Sequence, residues 1–216
     1  MHTYDTAGTY QVVLTTTNID GSDTASISIS IDHYYNLAEI KTDLGNLTIW
    51  LYDKTPLHKS NFLMLADSGF YDSTTFHRII PDFVIQGGDP LSKDDDPGND
   101  GTGGPGYTTP AEFDSSLTHV YGAVASARLA DSVNPDKNSS GSQFFIVVGL
   151  SGAHNLDMEY TTFGLIISAM TFADDISDQP ADMSDRPTTD ITMDVDVVLY
   201  SRDELISNFS FDPDNN

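Results

Sequence analysis

The sequence has no cysteine and few basic residues, and each shortage excludes a class of protein. Without cysteine there are no disulfides, no thiolate nucleophile and no Cys-ligated metal, although this absence does not fix the compartment. Nine Lys and Arg residues stand against 33 Asp and Glu residues, which gives a formal net charge of −24. Because such a surface repels phosphate backbones and anionic lipids, we expect no nucleic-acid partner.

Long apolar runs are also missing. No stretch approaches the ~20 apolar residues that a membrane helix needs, so we expect no membrane insertion by this chain. The opening MHTYDTAGTY lacks the basic and apolar regions of a signal peptide. The 216 residues, 38% of them hydrophobic, suffice for one sizeable core with a smaller appendage, or for two small domains.

Residues 1–36 form a distinct first segment. Its β-branched runs at 9–17 and 24–31 flank a polar stretch at 18–22, which predicts a β-hairpin. A lone hairpin is marginal in water, so this segment is not a complete domain. It resembles the C-terminal half of a PKD-like β-sandwich module of cell-surface proteins. A simple N-terminal hairpin added to the next domain is the alternative.

A second body, residues 37–201, follows the hairpin. Residues 38–53 read as two strands around a turn at 43–45, and residues 55–70 read as a helix. Thr55 is its expected N-cap, Pro56 its first turn and Gly69 its end. Its expected buried stripe comprises Leu57, Phe62, Leu65 and Ala66.

Short apolar runs between Gly, Pro and Asp clusters occupy the rest of this body. Many short strands with few helices favour a β-barrel or a β-sandwich. Residues 202–216 are expected to be a C-terminal tail, whose end NFSFDPDNN reads as frayed or as a linker.

Several familiar sites lack their required context. GTGGPG at 101–106 follows an acidic loop instead of a strand, which opposes a dinucleotide site. The six histidines lack metal-ligand spacing, and no G-x-S-x-G nucleophile motif occurs. An acidic run comprises Asp94, Asp95, Asp96 and Asp100. It is either a solvated loop or a calcium-binding loop that lacks the usual bidentate ligand.

The remaining motifs form an ordered set. FHRIIPDFVIQGGD, GTGGPGY, YGAVASAR, SSGSQFFI and LDMEYTTFG follow one another in the order and approximate spacing of the cyclophilins. Over residues 37–201 the chain therefore resembles a cyclophilin-type peptidyl-prolyl isomerase, and residues 127–145 resemble the longer loop of bacterial members. The resemblance implies a mainly β fold: a closed eight-stranded antiparallel barrel capped by two helices, without a cofactor. It also implies proline-containing polypeptides as substrates.

The resemblance assigns roles to individual residues. Arg78 matches the catalytic arginine, and Gln86 matches an amide that orients it. The matching substrate-binding positions are Phe83, Val84, Ala127, Arg128, Gln143, Phe145, Asn155, Leu156 and Tyr160. No metal ligand is implied.

Four of these positions depart from the family pattern. Val84 stands where methionine is usual, Arg128 where asparagine is usual, Asn155 where an aromatic ring is common, and Tyr160 where histidine is frequent. These departures predict reduced affinity for cyclosporin-type inhibitors.

The chemistry of prolyl isomerisation suits an arginine. Rotation about an X-Pro bond meets a barrier of about 18–20 kcal/mol, because the nitrogen lone pair is delocalised into the carbonyl group. A guanidinium that donates to the prolyl nitrogen binds the twisted amide more tightly than either planar form. The reaction needs no nucleophile. The Arg78 guanidinium stays charged at any relevant pH.

Strand alternation separates core residues from groove residues. We expect Phe144 in the core and Phe145 on the groove side, since neighbours on a strand face opposite ways. His77 is expected to be a hydrogen-bonded structural histidine. Gly87, Gly88 and Gly141 read as bends where a side chain would crowd the barrel.

The sequence thus supports three functions. The first is a prolyl isomerase that assists protein folding outside the cytoplasm of a bacterium, in the periplasm or at the cell surface. The second is a weakly active or inactive module that binds proline-containing peptides at a cell surface. The third is a structural spacer in a longer surface protein.

Overall fold

The computed structural model describes residues 8–94 and 96–215, which divide into two compact units. One unit is Leu37–Val198, and the other comprises the described parts of 1–36 and 199–216. The strands are β1 (Gly8–Asn18), β2 (Gly21–Ile31), β3 (Tyr34–Thr42), β4 (Gly45–Leu51), β5 (Thr74–Ile80), β6 (Val84–Gly87), β7 (Thr108–Thr109), β8 (Ala123–Ser126), β9 (Ser139–Ser140), β10 (Phe144–Val147), β11 (Thr162–Ile166) and β12 (Thr192–Ser201). The α-helices are α1 (Pro56–Asp67), α2 (Thr171–Ser177) and α3 (Arg202–Phe209).

Eight strands close into a barrel. Their order around it is β10-β6-β5-β12-β3-β4-β11-β8, and the paired strands run antiparallel. The predicted eight-stranded barrel is therefore confirmed. Closure leaves the barrel without a free sheet edge.

One apolar cluster fills the barrel and extends to two helices. Side chains at alternate strand positions, such as Ile85, Phe144 and Ile146, belong to it together with residues of α1 and α2. Phe144 is 1% exposed, which confirms its predicted core position. The two helices that cap the barrel in the prediction are thus α1 and α2.

Helix α1 differs from its prediction in two details. Leu57 is 48% exposed, and the buried stripe contains His58 in its place, beside Phe62, Leu65 and Ala66. His58 turns inward because its ring pairs with Glu112, whose carboxylate also accepts hydrogen bonds from the backbone amides of residues 57 and 58. Thr55 is the N-cap residue, but its side chain makes no capping hydrogen bond, since Glu112 serves those amides.

The predicted crowding at the three glycines is confirmed, but Gly87 is a paired residue of β6 and not a bend. A Cβ atom on Gly87 would lie 2.5 Å from the Met193 side chain, and one on Gly88 would lie 2.5 Å from the carbonyl oxygen of Ser142. One on Gly141 would lie 2.5 Å from both Pro105 and the backbone of residue 107. None of these sites has room for a side chain.

The unit that comprises the described parts of 1–36 and 199–216 contains the predicted hairpin and an unexpected helix. Strands β1 and β2 pair along their full length. Residues 202–209 of the expected C-terminal tail form α3, so the frayed or linker reading of NFSFDPDNN is wrong for residues 208 and 209. Ser201 and Glu204 form a reciprocal capping box at its N-terminus, a signal present in the sequence. In the described part of the chain no helix is long and apolar enough to cross a membrane.

Candidate active site

A register shift in β5 builds the centre of the site. Phe76 pairs with Gly87 and Arg78 pairs with Gln86, so His77 is an extra residue, as at a β-bulge. Gln86 also pairs with Phe145 on β10, and Phe145 pairs with Ala125 on β8. Arg78, Gln86 and Phe145 therefore lie in one row across three neighbouring strands.

Arg78 is held from two sides and stays accessible. Its Nη1 donates to Gln86 Oε1 at 3.4 Å, and its Nε lies 3.6 Å from the Asp185 carboxylate. The Arg78 side chain is 40% exposed. Within the described chain, Nη2 makes no hydrogen bond. One end of the guanidinium is thus free to donate to a ligand.

Two glutamines continue this arrangement into the protein. Gln86 Nε2 donates to Gln143 Oε1 at 3.1 Å, and Gln143 Nε2 donates to the Gly103 carbonyl at 2.8 Å. The buried Asp89 carboxylate lies 3.5 Å from Gln143 Nε2 and accepts the Gly103 amide at 2.9 Å. This chain of amides fixes the orientation of the group that contacts Arg78.

The role of GTGGPG is visible in the same contacts. A Cβ atom on Gly103 would lie 2.2 Å from an Asp89 carboxylate oxygen, so glycine is needed for the close approach. Residues 104–107 that follow are loop, without the helix of a dinucleotide site. The motif serves to seat a loop on Asp89.

A second apolar cluster lies beside Arg78, on the face of β6, β10 and β8 that points away from the interior cluster. It brings together six of the predicted substrate-binding residues, namely Phe83, Val84, Ala127, Phe145, Leu156 and Tyr160. The Phe145 and Tyr160 rings meet edge to face, with centroids 5.8 Å apart. Asn155 is exposed, in the short 3-10 helix His154–Leu156 that also carries Leu156.

Arg128 does not point freely into this cluster. Its side chain is 5% exposed, and its Nε donates to the Glu159 carbonyl oxygen at 2.8 Å. Its guanidinium carbon lies 4.6 Å from the centroid of the Tyr160 ring. The structure thus places Arg128 against another predicted groove residue, with its donors engaged inside the chain.

His119 is a site residue that sequence reasoning missed. Its ring stacks on Phe145 at 5.8 Å and 15°. It is fully buried, and its Nδ1 lies 2.9 Å from Asp157. Burial lowers the pKa of His119, so a neutral ring donates Nδ1–H to Asp157. The only hint in the sequence was a histidine shortly before the β8 strand.

Asp157 joins this histidine to a second one. Burial alone would raise the pKa of Asp157, but hydrogen bonds from the backbone and ring of His119 and from His154 together lower it. The ionised carboxylate accepts from His154 Nδ1 at 2.9 Å. Phe145 therefore rests on an imidazole that is fixed in orientation.

His77 does not match its expectation. It is 7% exposed, and neither ring nitrogen makes a hydrogen bond of normal geometry within the described chain. Burial lowers the pKa of His77 to about 4, although Asp89 and the Thr75 backbone favour the charged form. The prediction of a hydrogen-bonded histidine is wrong, because the bulge turns this ring into the protein.

The described residues contain no cluster of three His or carboxylate side chains that could hold a metal ion. Asp94 and Asp96 accept hydrogen bonds from amides of their own loop, and Asp100 pairs with Arg186. Asp95 lies outside the described residues, so the calcium reading of this run is left as an expectation.

Comparison with known proteins agrees with this geometry. Residues 37–197 match the family described as cyclophilin type peptidyl-prolyl cis-trans isomerase/CLD. The chain belongs to this family. It is a cyclophilin-type peptidyl-prolyl cis-trans isomerase.

Individual relatives of this cyclophilin support its assignment to the family. Peptidyl-prolyl cis-trans isomerase-like 1 of Neurospora crassa is 38% identical over 153 residues, which cover 70% of this chain and 87% of the relative. Peptidyl-prolyl cis-trans isomerase B of Bacillus subtilis is 42% identical over 123 residues, 55% of this chain and 73% of the relative. The crystal structure of a Cryptosporidium parvum cyclophilin in the presence of the dipeptide Ala-Pro aligns with a TM-score of 0.66 and 32% identity, over 76% of this chain and 99% of that one.

Proposed function

We propose that Arg78 and the neighbouring apolar cluster form the isomerase site, with Arg78 as the catalytic residue. The observation that carries this proposal is the row of Arg78, Gln86 and Phe145, which sets a free guanidinium end beside an apolar surface. The cluster receives the proline ring, with Phe83 and Phe145 as its aromatic contacts. Leu156, Val84 and Ala127 complete the apolar surface.

The catalytic step is stabilisation of the twisted amide. As the X-Pro bond rotates, the prolyl nitrogen loses conjugation and becomes a better acceptor, so Arg78 binds the transition state more tightly than either ground state. Gln86 holds the guanidinium through Nη1 and leaves Nη2 for the substrate. No covalent bond is made or broken. Substrates are proline-containing polypeptides, and folding proteins supply such bonds.

The test is exchange NMR on an Ala-Pro peptide, because uncatalysed isomerisation takes tens of seconds. We expect fast exchange with the wild type and a loss of about 10²-fold or more in Arg78→Ala, as for removal of one transition-state donor. Arg78→Lys should restore little, since a lysine lacks the planar fork. Lys54→Ala, which removes an exposed cation, is the control and should retain full activity.

Two outcomes would overturn the proposed roles. Unchanged exchange in Arg78→Ala would remove Arg78 from catalysis. Slow exchange with the wild type despite measurable peptide binding would favour the alternative function, a proline-peptide-binding module.

We infer further that this isomerase works outside the cytoplasm of a bacterium and carries part of a PKD-like sandwich. The hairpin supports this inference, because Tyr10, Val12 and Leu14 share one face with Ile27 and Ile29, while the other face is mostly Ser and Thr. Leu14 is 65% exposed and Ile27 is 64% exposed, as on a sheet that lacks its facing sheet. Cell fractionation tests the location: recovery of the protein only in the cytoplasmic fraction would contradict the inference.

We also propose that this protein binds cyclosporin-type inhibitors with reduced affinity. Asn155 offers no ring at the edge of the cluster, and Tyr160 occupies the position where histidine is frequent. In a titration, the wild type should bind cyclosporin more weakly than the Asn155→Trp variant does. Equal affinities of the two proteins would contradict the role of Asn155.

A further inference from the structure

Two of the positions where this sequence departs from its family are in direct contact. The Arg128 guanidinium lies on the Tyr160 ring at 4.6 Å, and the Tyr160 ring meets Phe145 edge to face at 5.8 Å. Phe145 in turn stacks on His119. A cation, two aromatic rings and an imidazole therefore form one continuous row of contacts along the edge of the apolar cluster.

The guanidinium of Arg128 has few donors left for a ligand. Nε binds the Glu159 carbonyl oxygen at 2.8 Å, and Nη1 binds the Leu129 carbonyl oxygen at 3.0 Å and Asp131 at 2.5 Å. Nη2 lies 3.3 Å from the Glu159 carboxylate. With its side chain 5% exposed, Arg128 would have to break these contacts before it could bind a peptide.

The surroundings hold this arginine in place. Glu159 precedes Tyr160 in the chain, so the same backbone segment carries the ring and accepts the Nε hydrogen bond. Lys137 pairs with both Glu159 and Asp131, and these contacts raise the pKa of Lys137 against the opposing effect of desolvation. A planar guanidinium can lie flat on a ring while it donates in its own plane, which an ammonium group cannot do.

We propose that Arg128 is a positioning residue, which sets the wall of the proline pocket by holding Tyr160 against Phe145, and that it does not bind the substrate itself. The proposal rests on the proposed function, because it takes the apolar cluster as the pocket. It joins Arg128 and Tyr160 into one unit whose members act only together.

A double-mutant cycle tests this coupling. Arg128→Gln and Tyr160→Leu should each raise the Kd for an Ala-Pro peptide about three- to tenfold, and leave the exchange rate at saturation unchanged, because a pocket wall binds ground and transition states equally. The double variant should bind no more weakly than Tyr160→Leu alone. Losses that multiply in the double variant would show independent action and overturn the proposal.

Substrate charge separates positioning from direct contact. If Arg128 positions Tyr160, the Arg128→Gln substitution should weaken the binding of an Ala-Pro peptide and of a Glu-Pro peptide by the same factor. A loss confined to the Glu-Pro peptide would mean that Arg128 binds the substrate, which contradicts the proposal. Lys54→Gln makes the same charge change at a surface site and should alter neither affinity.

NMR signals of the free protein show whether a variant with a replaced buried residue is still folded, and they test the proposal without a peptide. The Tyr160 ring should shift the Arg128 Nε–H signal upfield, and Tyr160→Leu should abolish that shift while Tyr160→Phe retains it. Arg128→Gln should also change the Phe145 ring signals. Unchanged Phe145 signals in a folded Arg128→Gln protein would overturn the proposal.

The same measurements distinguish failure of this inference from failure of the proposed function. If Arg78→Ala retained full activity, the catalytic assignment would fall. The ring signals of the free protein would still report whether Arg128 positions Tyr160 and Phe145.

Discussion

At the scale of single residues, Arg78 depends on an extra residue in its own strand. The register shift at His77 sets Arg78 opposite Gln86 and turns the His77 ring inward. Bulges commonly reorient a side chain next to an active site. The position of Arg78 is therefore obtained by burying a titratable ring that lacks a well-formed hydrogen bond in the described chain.

This buried ring predicts a pH-dependent stability. The pKa of His77 is lowered to about 4 in the folded state, against about 6.5 when unfolded. Between these values the unfolded chain binds a proton that the folded chain does not, so the free energy of unfolding falls as the pH falls through this window. The full shift corresponds to about 3 kcal/mol.

His77→Leu should remove this contribution. We expect urea unfolding to show the variant close to the wild type at pH 7 and more stable by about 2 kcal/mol at pH 4.5. Burial also lowers the pKa of His58 and of His119, so the wild type should keep some residual pH dependence. Parallel pH profiles for wild type and variant would contradict this account of His77.

At the scale of elements, one carboxylate ties a long loop to the barrel. The chain leaves β6, passes through the acidic run and returns to Asp89, which accepts hydrogen bonds from the amides of Leu91 and Gly103. Gln143, which precedes β10, also approaches Asp89. The loop and the amide chain that reaches Gln86 therefore share one buried anchor.

Asp89→Ala should disrupt both. It removes a buried carboxylate and leaves the amides of Leu91 and Gly103 without their acceptor, so we expect a loss of about 1–3 kcal/mol in the free energy of unfolding, together with slower catalysed exchange of an Ala-Pro peptide. Asp114→Ala is the matched control, because Asp114 also accepts hydrogen bonds from its own loop but is more exposed. Equal losses in stability for the two variants would show that burial of the carboxylate is not the cause.

At the scale of the whole molecule, the dominant feature is the net charge of −24. Local ion pairs such as Lys41 with Asp196 use most of the few cations, and a large excess of carboxylates is left. Self-repulsion among these charges opposes the compact state and is reduced by salt.

Added salt should therefore stabilise this protein. As NaCl rises from about 0.01 M to about 1 M, the screening length falls from about 30 Å to about 3 Å, and we expect the urea midpoint to rise. Sucrose at equal osmolality is the control for solvent exclusion. A urea midpoint that rises no more in NaCl than in sucrose would show that charge repulsion contributes little to the free energy of unfolding.

The sequence by itself determined the family, and through that resemblance it implied the closed barrel and the residues of the site. Motif order identified Arg78, Gln86 and Phe145, and strand alternation separated Phe144 from Phe145. Such signals are local or periodic, so they can be read without coordinates. The capping box of Ser201 and Glu204 is also present in the sequence, although the sequence analysis predicts only a C-terminal tail there.

Only the tertiary structure decided which distant residues support that row. Glu112 draws His58 inward, His119 stacks on Phe145, and Arg128 lies on Tyr160, although the members of each pair are 26 to 54 residues apart or belong to different loops. No local pattern encodes these contacts, because they arise where barrel closure brings separate strands and loops together. The burial of His77 has the same origin, since a register shift exists only between paired strands.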